Sequence, residues 1–316
     1  MNLLQAIVLS VLQGISELFP VSSLGHAVIL PKLLRWSIDE TGKSWLAFLV
    51  ALHIGTATAL LIYFWEDWRS VLAAFIRSVQ KGEIGDDQDQ RLAWMVLLGT
   101  IPAGVVGSVL QSPLRSFFAK PVLAALFLIV NGAIMFAGEK LMQRQLDVSR
   151  TVGGKRLRAV AGRGGTYTHQ FGTASVPIAE QTGGRFRDIT ELSWRDAAIV
   201  GFAQIGSLIP GISRSGITMV AGLAAGLTHE AAARYAFLLA TPIIFAAGLI
   251  ELPDLFTTQG RHILGYAIIG AFLAGIAAYA SVRYLMRYFE SGRLYPFAYY
   301  CVGAGVLSLI LITANL

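Results

Sequence analysis

Apolar residues run in six stretches that approach the ~20 residues an α-helix needs to cross a bilayer. They cover residues 46–65, 92–110, 121–138, 234–252, 263–282 and 296–312, and each predicts a spanning helix. Two further stretches, 3–34 and 197–227, are apolar at both ends and polar in the middle. The first holds Gln13, Glu17, Pro20, Ser22, Ser23, Gly25 and His26. The second holds Gln204, Ser207, Pro210, Gly211, Ser213, Arg214, Ser215, Gly216 and Thr218. Proline in a helix interior breaks the hydrogen-bond ladder. A half such as 3–12 reaches only about 15 Å at 1.5 Å per residue. Each broken stretch therefore predicts a re-entrant hairpin: helix in, loop at depth, helix back out. Irregular backbone at that depth is tolerated only inside protein or beside a wet cavity.

The two halves match in register. Phe19-Pro20-Val21-Ser22-Ser23-Leu24-Gly25 resembles Ile209-Pro210-Gly211-Ile212-Ser213-Arg214-Ser215-Gly216. Pro20 stands 28 residues before Phe48, and Pro210 stands 27 before Phe237. Gly99 stands 28 before Phe127, and Gly270 stands 27 before Phe297. Each half is a hairpin followed by three spans. Three is odd, so the second half enters from the opposite side. The expected fold is an all-α polytopic membrane protein with an inverted repeat, each half one re-entrant helical hairpin plus three transmembrane helices. Residues 1–140 form the first repeat, 141–192 a polar loop and 193–316 the second repeat. Paired interrupted segments in such repeats mark the binding site.

Composition agrees with a membrane chain. Only 14% of the 316 residues are charged, against roughly a quarter in soluble domains, and the mean hydropathy is +0.61. Cys301 is the single cysteine, which excludes a disulfide framework or a multi-cysteine metal site. No Lys or Arg precedes the first apolar run and Glu17 interrupts it, unlike a secretory signal. The net charge of +6 does not point to nucleic acid, because the basic residues lie mainly between spans. Loops on the side of 66–91, 139–196 and 283–295 hold 17 Lys and Arg; the other side, with both termini, holds 6. The positive-inside rule makes the richer side cytoplasmic and turns both termini outward. The stretch 141–192 reads as a flexible cytoplasmic loop whose basic bias suits anionic headgroups. Its glycine pairs lack the strand–turn–helix setting of a nucleotide site.

Ionisable residues at membrane depth are expensive and point to function. Glu17 and Arg214 sit in corresponding hairpins and can meet; the plainer reading is an ion pair that fixes packing. Ser22-Ser23 and Ser213-Arg214-Ser215 each follow a proline break and should open a half-helix. Helix N-termini attract anions, serine caps them, and an arginine fork binds phosphate in a bidentate way. Gly211 and Gly216 would let the backbone approach closely. Gln13 and Glu17, four apart, share a helix face. A carboxylate there could hold a hard cation such as Mg²⁺ or act as general base. His26 could move protons or position phosphate, whereas His53 reads as packing or support.

At these residues the sequence resembles the bacterial undecaprenyl-diphosphate phosphatase family, the bacitracin-resistance proteins. The first family motif appears as Gln13-Gly14-Ile15-Ser16-Glu17 followed by Pro20-Val21-Ser22-Ser23-Leu24-Gly25-His26. The second appears as Pro210-Gly211-Ile212-Ser213-Arg214-Ser215-Gly216-Ile217-Thr218. The resemblance implies hydrolysis of undecaprenyl diphosphate to undecaprenyl phosphate and inorganic phosphate, which recycles the cell-wall lipid carrier and confers bacitracin resistance. It implies a bacterial cytoplasmic membrane, a site open to the periplasm or outer side, and a divalent cation, Mg²⁺ or Ca²⁺. It makes Glu17, His26 and Arg214 essential, with Ser23 or Ser22 as nucleophile unless water attacks. Ser213, Ser215, Gly216, Thr218 and Gly211 would line the phosphate site with Arg214, and Glu17 with Gln13 would hold the metal. The expected partners are a polyprenyl diphosphate lipid and membrane lipids, with no nucleic acid; a homodimer stays open. The rival reading is a transporter or flippase of a polyprenyl phosphate lipid, since inverted repeats with midplane hairpins also build transporters.

Overall fold

A computed structural model describes residues 1–39, 42–85, 87–110, 120–161, 186–257 and 260–314. Among them the fold is all α; the one backbone bridge outside the helices pairs Arg187 with Leu227. Six helical stretches are long and apolar enough to cross a bilayer: Ser44–Tyr63, Gln88–Val109, Pro121–Gln145, His229–Phe256, Arg261–Phe289 and Tyr295–Thr313. They overlie the six apolar stretches of the sequence. The chain is an all-α polytopic membrane protein.

Both broken stretches fold as helical hairpins. The first is α1 (Leu3–Ser16) and α2 (Ser23–Leu33). At 14 and 11 residues neither reaches across a hydrocarbon core of about 30 Å. Asn2 opens α1 with a capping box to Gln5. The first half then continues through α3 (Lys43–Tyr63), α4 (Trp65–Lys81), α5 (Gln88–Val109) and α6 (Pro121–Ala161). The second hairpin is α7 (Trp194–Ala203), a short 3-10 turn at Gln204–Leu208, and α8 (Arg214–Ala224). Next come α9 (His229–Glu251), α10 (Arg261–Phe289) and α11 (Tyr295–Thr313).

The helices of the two halves interleave. Helix α3 packs along α10 and α9, and α6 packs along α11. Helix α1 lies against α10, and α7 lies against α5. Lipid tails are as apolar as leucine, so membrane helices associate mainly by close packing of small residues. Gly55 is the clearest case, since a side chain there would run into the Ala271 backbone of α10. The core between the hairpins and the long helices includes Leu18, Val28, Leu60, Leu128, Phe237 and Leu239, all buried.

Two elements depart from the sequence reading. The sequence predicts a loop over residues 66–91, yet Trp65–Lys81 form α4. Its Val71, Ala74 and Ser78 face the protein, while Leu72, Ile76 and Val79 are exposed. Charges on its remaining face hide this pattern from a search for uniformly apolar runs. Helix α6 continues to Ala161, into the stretch read as a polar loop. Residues 162–185 of that stretch, and the expected loop at 111–119, lie outside the described residues.

Candidate functional site

Each hairpin turns at its proline and restarts on a serine. Ser22 caps α2 by accepting a hydrogen bond from the Gly25 amide, and Ser213 caps α8 by accepting one from Gly216. Both caps meet the first unpaired N–H groups of a helix, as their position in the sequence predicts. Ser22 sits at φ +66°, a left-handed conformation that a residue with a side chain adopts only when its surroundings hold it there. Its Oγ accepts from the Gly211 amide at 3.2 Å. The His26 Nδ1 donates to the Ser22 carbonyl at 2.7 Å. Gly211 has φ +103°, and a Cβ there would collide with the Ala124 carbonyl and with Phe127. The two loops are thus locked edge to edge.

Glu17 is the hub. It is 7% exposed and accepts from donors on three elements. The Arg214 guanidinium pairs with Oε1. Ser23 donates its hydroxyl to Oε2. Gln13 Nε2 donates to the same oxygen at 3.0 Å. His53 Nε2 lies 3.2 Å from Oε2 as well. The His53 Nδ1 donates to the Leu49 carbonyl at 2.7 Å. A carbonyl only accepts, so that proton is committed to Nδ1. Nε2 is the ring nitrogen left to face Glu17. Burying such charges is tolerable only because each is paired.

Beside Glu17 lies a cavity of about 210 Å³. Its polar wall is Glu17, Ser22, Ser23, His53, Ser207, Ser213 and Arg214; the rest is leucine, isoleucine, valine and alanine. A second, largely apolar cavity of about 280 Å³ shares Leu24, Leu46, Val50, Ser207 and Leu208 with it, reaches Ala103 and Gly104 on α5, and has Ser108 and Glu251 as its other polar residues. A polar end joined to an apolar trough matches a ligand with a charged head and a hydrocarbon tail.

Not every expected site residue reaches this cavity. Glu17, Ser22, Ser23, Ser213 and Arg214 line it. Thr218 does not, because its hydroxyl donates back to the Arg214 carbonyl at 2.7 Å. Ser215 lies 3.1 Å from the Ser213 hydroxyl and 3.3 Å from the Phe19 carbonyl, tying α8 to the first hairpin. Gly216 and Gly211 serve loop packing. His26 faces away, with its ring stacked on Tyr300 and Nε2 2.8 Å from the Tyr300 hydroxyl. His53, read as packing or support, is in the cavity wall. Asn131, absent from the sequence reading, joins both loops from α6.

The expected divalent cation finds no cage here. A hard cation takes several oxygen ligands, but Glu17 is the sole carboxylate on this cavity wall and already meets two basic side chains. Among the described residues no group of three or more His, Cys, Asp or Glu is placed to hold a metal. Gln13 Oε1 is buried without a partner, yet Gln13 lies off the cavity. These residues do not fit a resident cation.

A sequence model of the family described as bacitracin resistance protein BacA matches residues 6–307. The chain belongs to this family. It is 43% identical to undecaprenyl-diphosphatase 2 of Frankia alni, over 97% of each chain. It is 44% identical to an undecaprenyl-diphosphatase of Mycolicibacterium paratuberculosis, over 98% of this chain and 97% of the relative. A protein of the same name from Acidiphilium cryptum is 43% identical over 99% of both. The matched range of the BacA family model contains every residue on the polar wall, and both hairpins apart from the first three residues of α1.

Proposed function

We propose that this chain hydrolyses undecaprenyl diphosphate to undecaprenyl phosphate and inorganic phosphate at the Glu17–Ser23–Arg214 site. The observation that carries the reading is a serine hydroxyl donating to a buried carboxylate that also pairs with an arginine, at the polar end of an apolar trough. A nucleophile paired with a base and flanked by a phosphate-binding cation is the constellation phosphoryl transfer needs. The names of the relatives support the same substrate.

The incoming diphosphate competes with Glu17 for the Arg214 fork. As Arg214 turns to the phosphate, Glu17 is left as base for Ser23. Ser23 Oγ attacks the terminal phosphorus, its proton passes to Glu17, and the bond from phosphorus to the bridging oxygen breaks. Undecaprenyl phosphate leaves, and water then cleaves the phosphoserine to release phosphate. Ser22 is the weaker nucleophile candidate, since its oxygen already accepts from Gly25 and Gly211. His26 acts through the Ser22 carbonyl, holding the strained turn in place. Mg²⁺ or Ca²⁺ enters this reading as a counter-ion of the diphosphate, part of the substrate and not of the protein. The setting is the bacterial cytoplasmic membrane, with the site facing the outer side.

Phosphate release from undecaprenyl diphosphate by purified protein in detergent tests the reading. Detergent leaves no second compartment, so a protein that only transports lipid releases nothing. The expected result is steady turnover by the wild type that Arg214→Ala cuts by at least about 10²-fold, the scale of one lost charge-stabilising contact. Undiminished turnover by Arg214→Ala would overturn it.

A further inference from the structure

Asn131 stands on α6, outside both hairpins and both motifs. It is 0% exposed, and a buried amide is costly unless its donors and acceptor are paired. Its Nδ2 donates to the Pro20 carbonyl in the first loop at 3.0 Å. Its Oδ1 accepts from the Ser213 amide in the second loop at 3.0 Å. Nδ2 also lies 3.4 Å from the Cys301 Sγ on α11. Pro20 leads into Ser22 and Ser23. Ser213 caps the helix that begins with Arg214. The other ties between the loops are made by hairpin residues themselves: Ser22 to Gly211, Ser215 to the Phe19 and Glu17 carbonyls, and Glu17 to Arg214. Of these, the Glu17–Arg214 tie has to loosen when a phosphate takes the guanidinium.

We propose that Asn131 is a positioning residue that sets the placement of Ser23 against Arg214 while Arg214 changes partners. One planar amide presents a donor to one loop and an acceptor to the other, so it fixes both loops to the same point on α6. Packing leaves no slack around it. A Cβ on Gly216 would stand 3.3 Å from Asn131 Oδ1 and 3.4 Å from the Pro20 Cβ. A misplacement of about 1 Å between reacting groups costs roughly 10²-fold in rate, so this clamp acts on turnover without touching the substrate.

The inference rests on the phosphatase reading, and the test separates the two. Asn131→Leu keeps the branched shape and removes both arms. Asn131→Asp keeps the acceptor for Ser213 and sets an oxygen against the Pro20 carbonyl. Phosphate release is measured for each variant in the wild-type and Ser23→Ala backgrounds. The expected result is a kcat lowered by about 10- to 10²-fold in the wild-type background, with KM within about 3-fold. In the Ser23→Ala background the same change should cost less than about 2-fold, because there is no serine left to align. A merely structural defect lowers the active fraction equally in both backgrounds. Amide hydrogen exchange over residues 209–216 gives a readout free of turnover, and it should quicken at Ser213 in Asn131→Leu. Equal losses in both backgrounds, or an unchanged kcat with unchanged exchange, would overturn the clamp. If Asn131→Leu does not yield folded protein, Asn131→Asp carries the same comparison. Absence of release by the wild type overturns the phosphatase reading instead, and the exchange measurement then decides the clamp alone.

Discussion

Ser22 and Ser23 are neighbours with different tasks. The first spends its oxygen on two amides of the loops, and the second aims its hydroxyl at Glu17. Mass spectrometry of acid-quenched protein during turnover should therefore find phosphate on Ser23 and none on Ser22. His53 offers a second residue test. His53→Gln can still offer an N–H to Glu17, whereas His53→Leu leaves the buried carboxylate without that polar contact. Removing a hydrogen bond to a buried charge costs about 1.5–3 kcal/mol. The Leu variant should then lose about 10- to 10²-fold in phosphate release, and the Gln variant clearly less; equal losses would place His53 outside the site. Gly211→Ala meets both a left-handed φ and the Ala124 carbonyl. Its thermal unfolding midpoint in detergent should fall, by an amount reflecting about 2 kcal/mol or more of strain and overpacking.

At the scale of elements, the hairpins were legible because proline, glycine and capping serines are strong local signals. The six spans were legible because length and apolarity are enough. Helix α4 was not, because its charges share a surface with an apolar face. Asn131 was invisible for another reason: a lone amide in an apolar span carries no local signal, and its two partners lie 111 and 82 residues away. Thr218, Ser215 and Gly216 look alike in a motif, but helix geometry turns Thr218 back onto its own carbonyls while Arg214 reaches the cavity. A second buried carboxylate, Glu139 on α6, receives His229 of α9 at 2.8 Å and the Leu294 amide before α11 at 3.1 Å. It staples three helices at the end remote in sequence from the hairpin turns. Glu139→Ala should lower the unfolding midpoint by an amount worth about 3–5 kcal/mol, since it leaves buried polar partners uncompensated. Glu139→Gln, which still offers an acceptor, should lower it less.

Across the whole molecule, the charge asymmetry predicts which way the site opens. The expected loops hold 17 Lys and Arg on one side and 6 on the other, and the positive-inside rule then predicts that both termini face outward. In intact cells, Ala314→Cys should react with a membrane-impermeant maleimide, and Arg77→Cys only after permeabilisation; the native Cys301 is buried and stays silent. The reverse pattern would turn the cavity toward the cytoplasm.

The central claim is that Ser23, Glu17 and Arg214 form one reaction centre, and the rate of phosphate release by Ser23→Ala tests it most directly. With folded protein confirmed by its unfolding midpoint, the variant should turn over undecaprenyl diphosphate about 10³-fold more slowly than the wild type. A rate within about 2-fold of the wild type, well inside one unit of transition-state arithmetic, would contradict it.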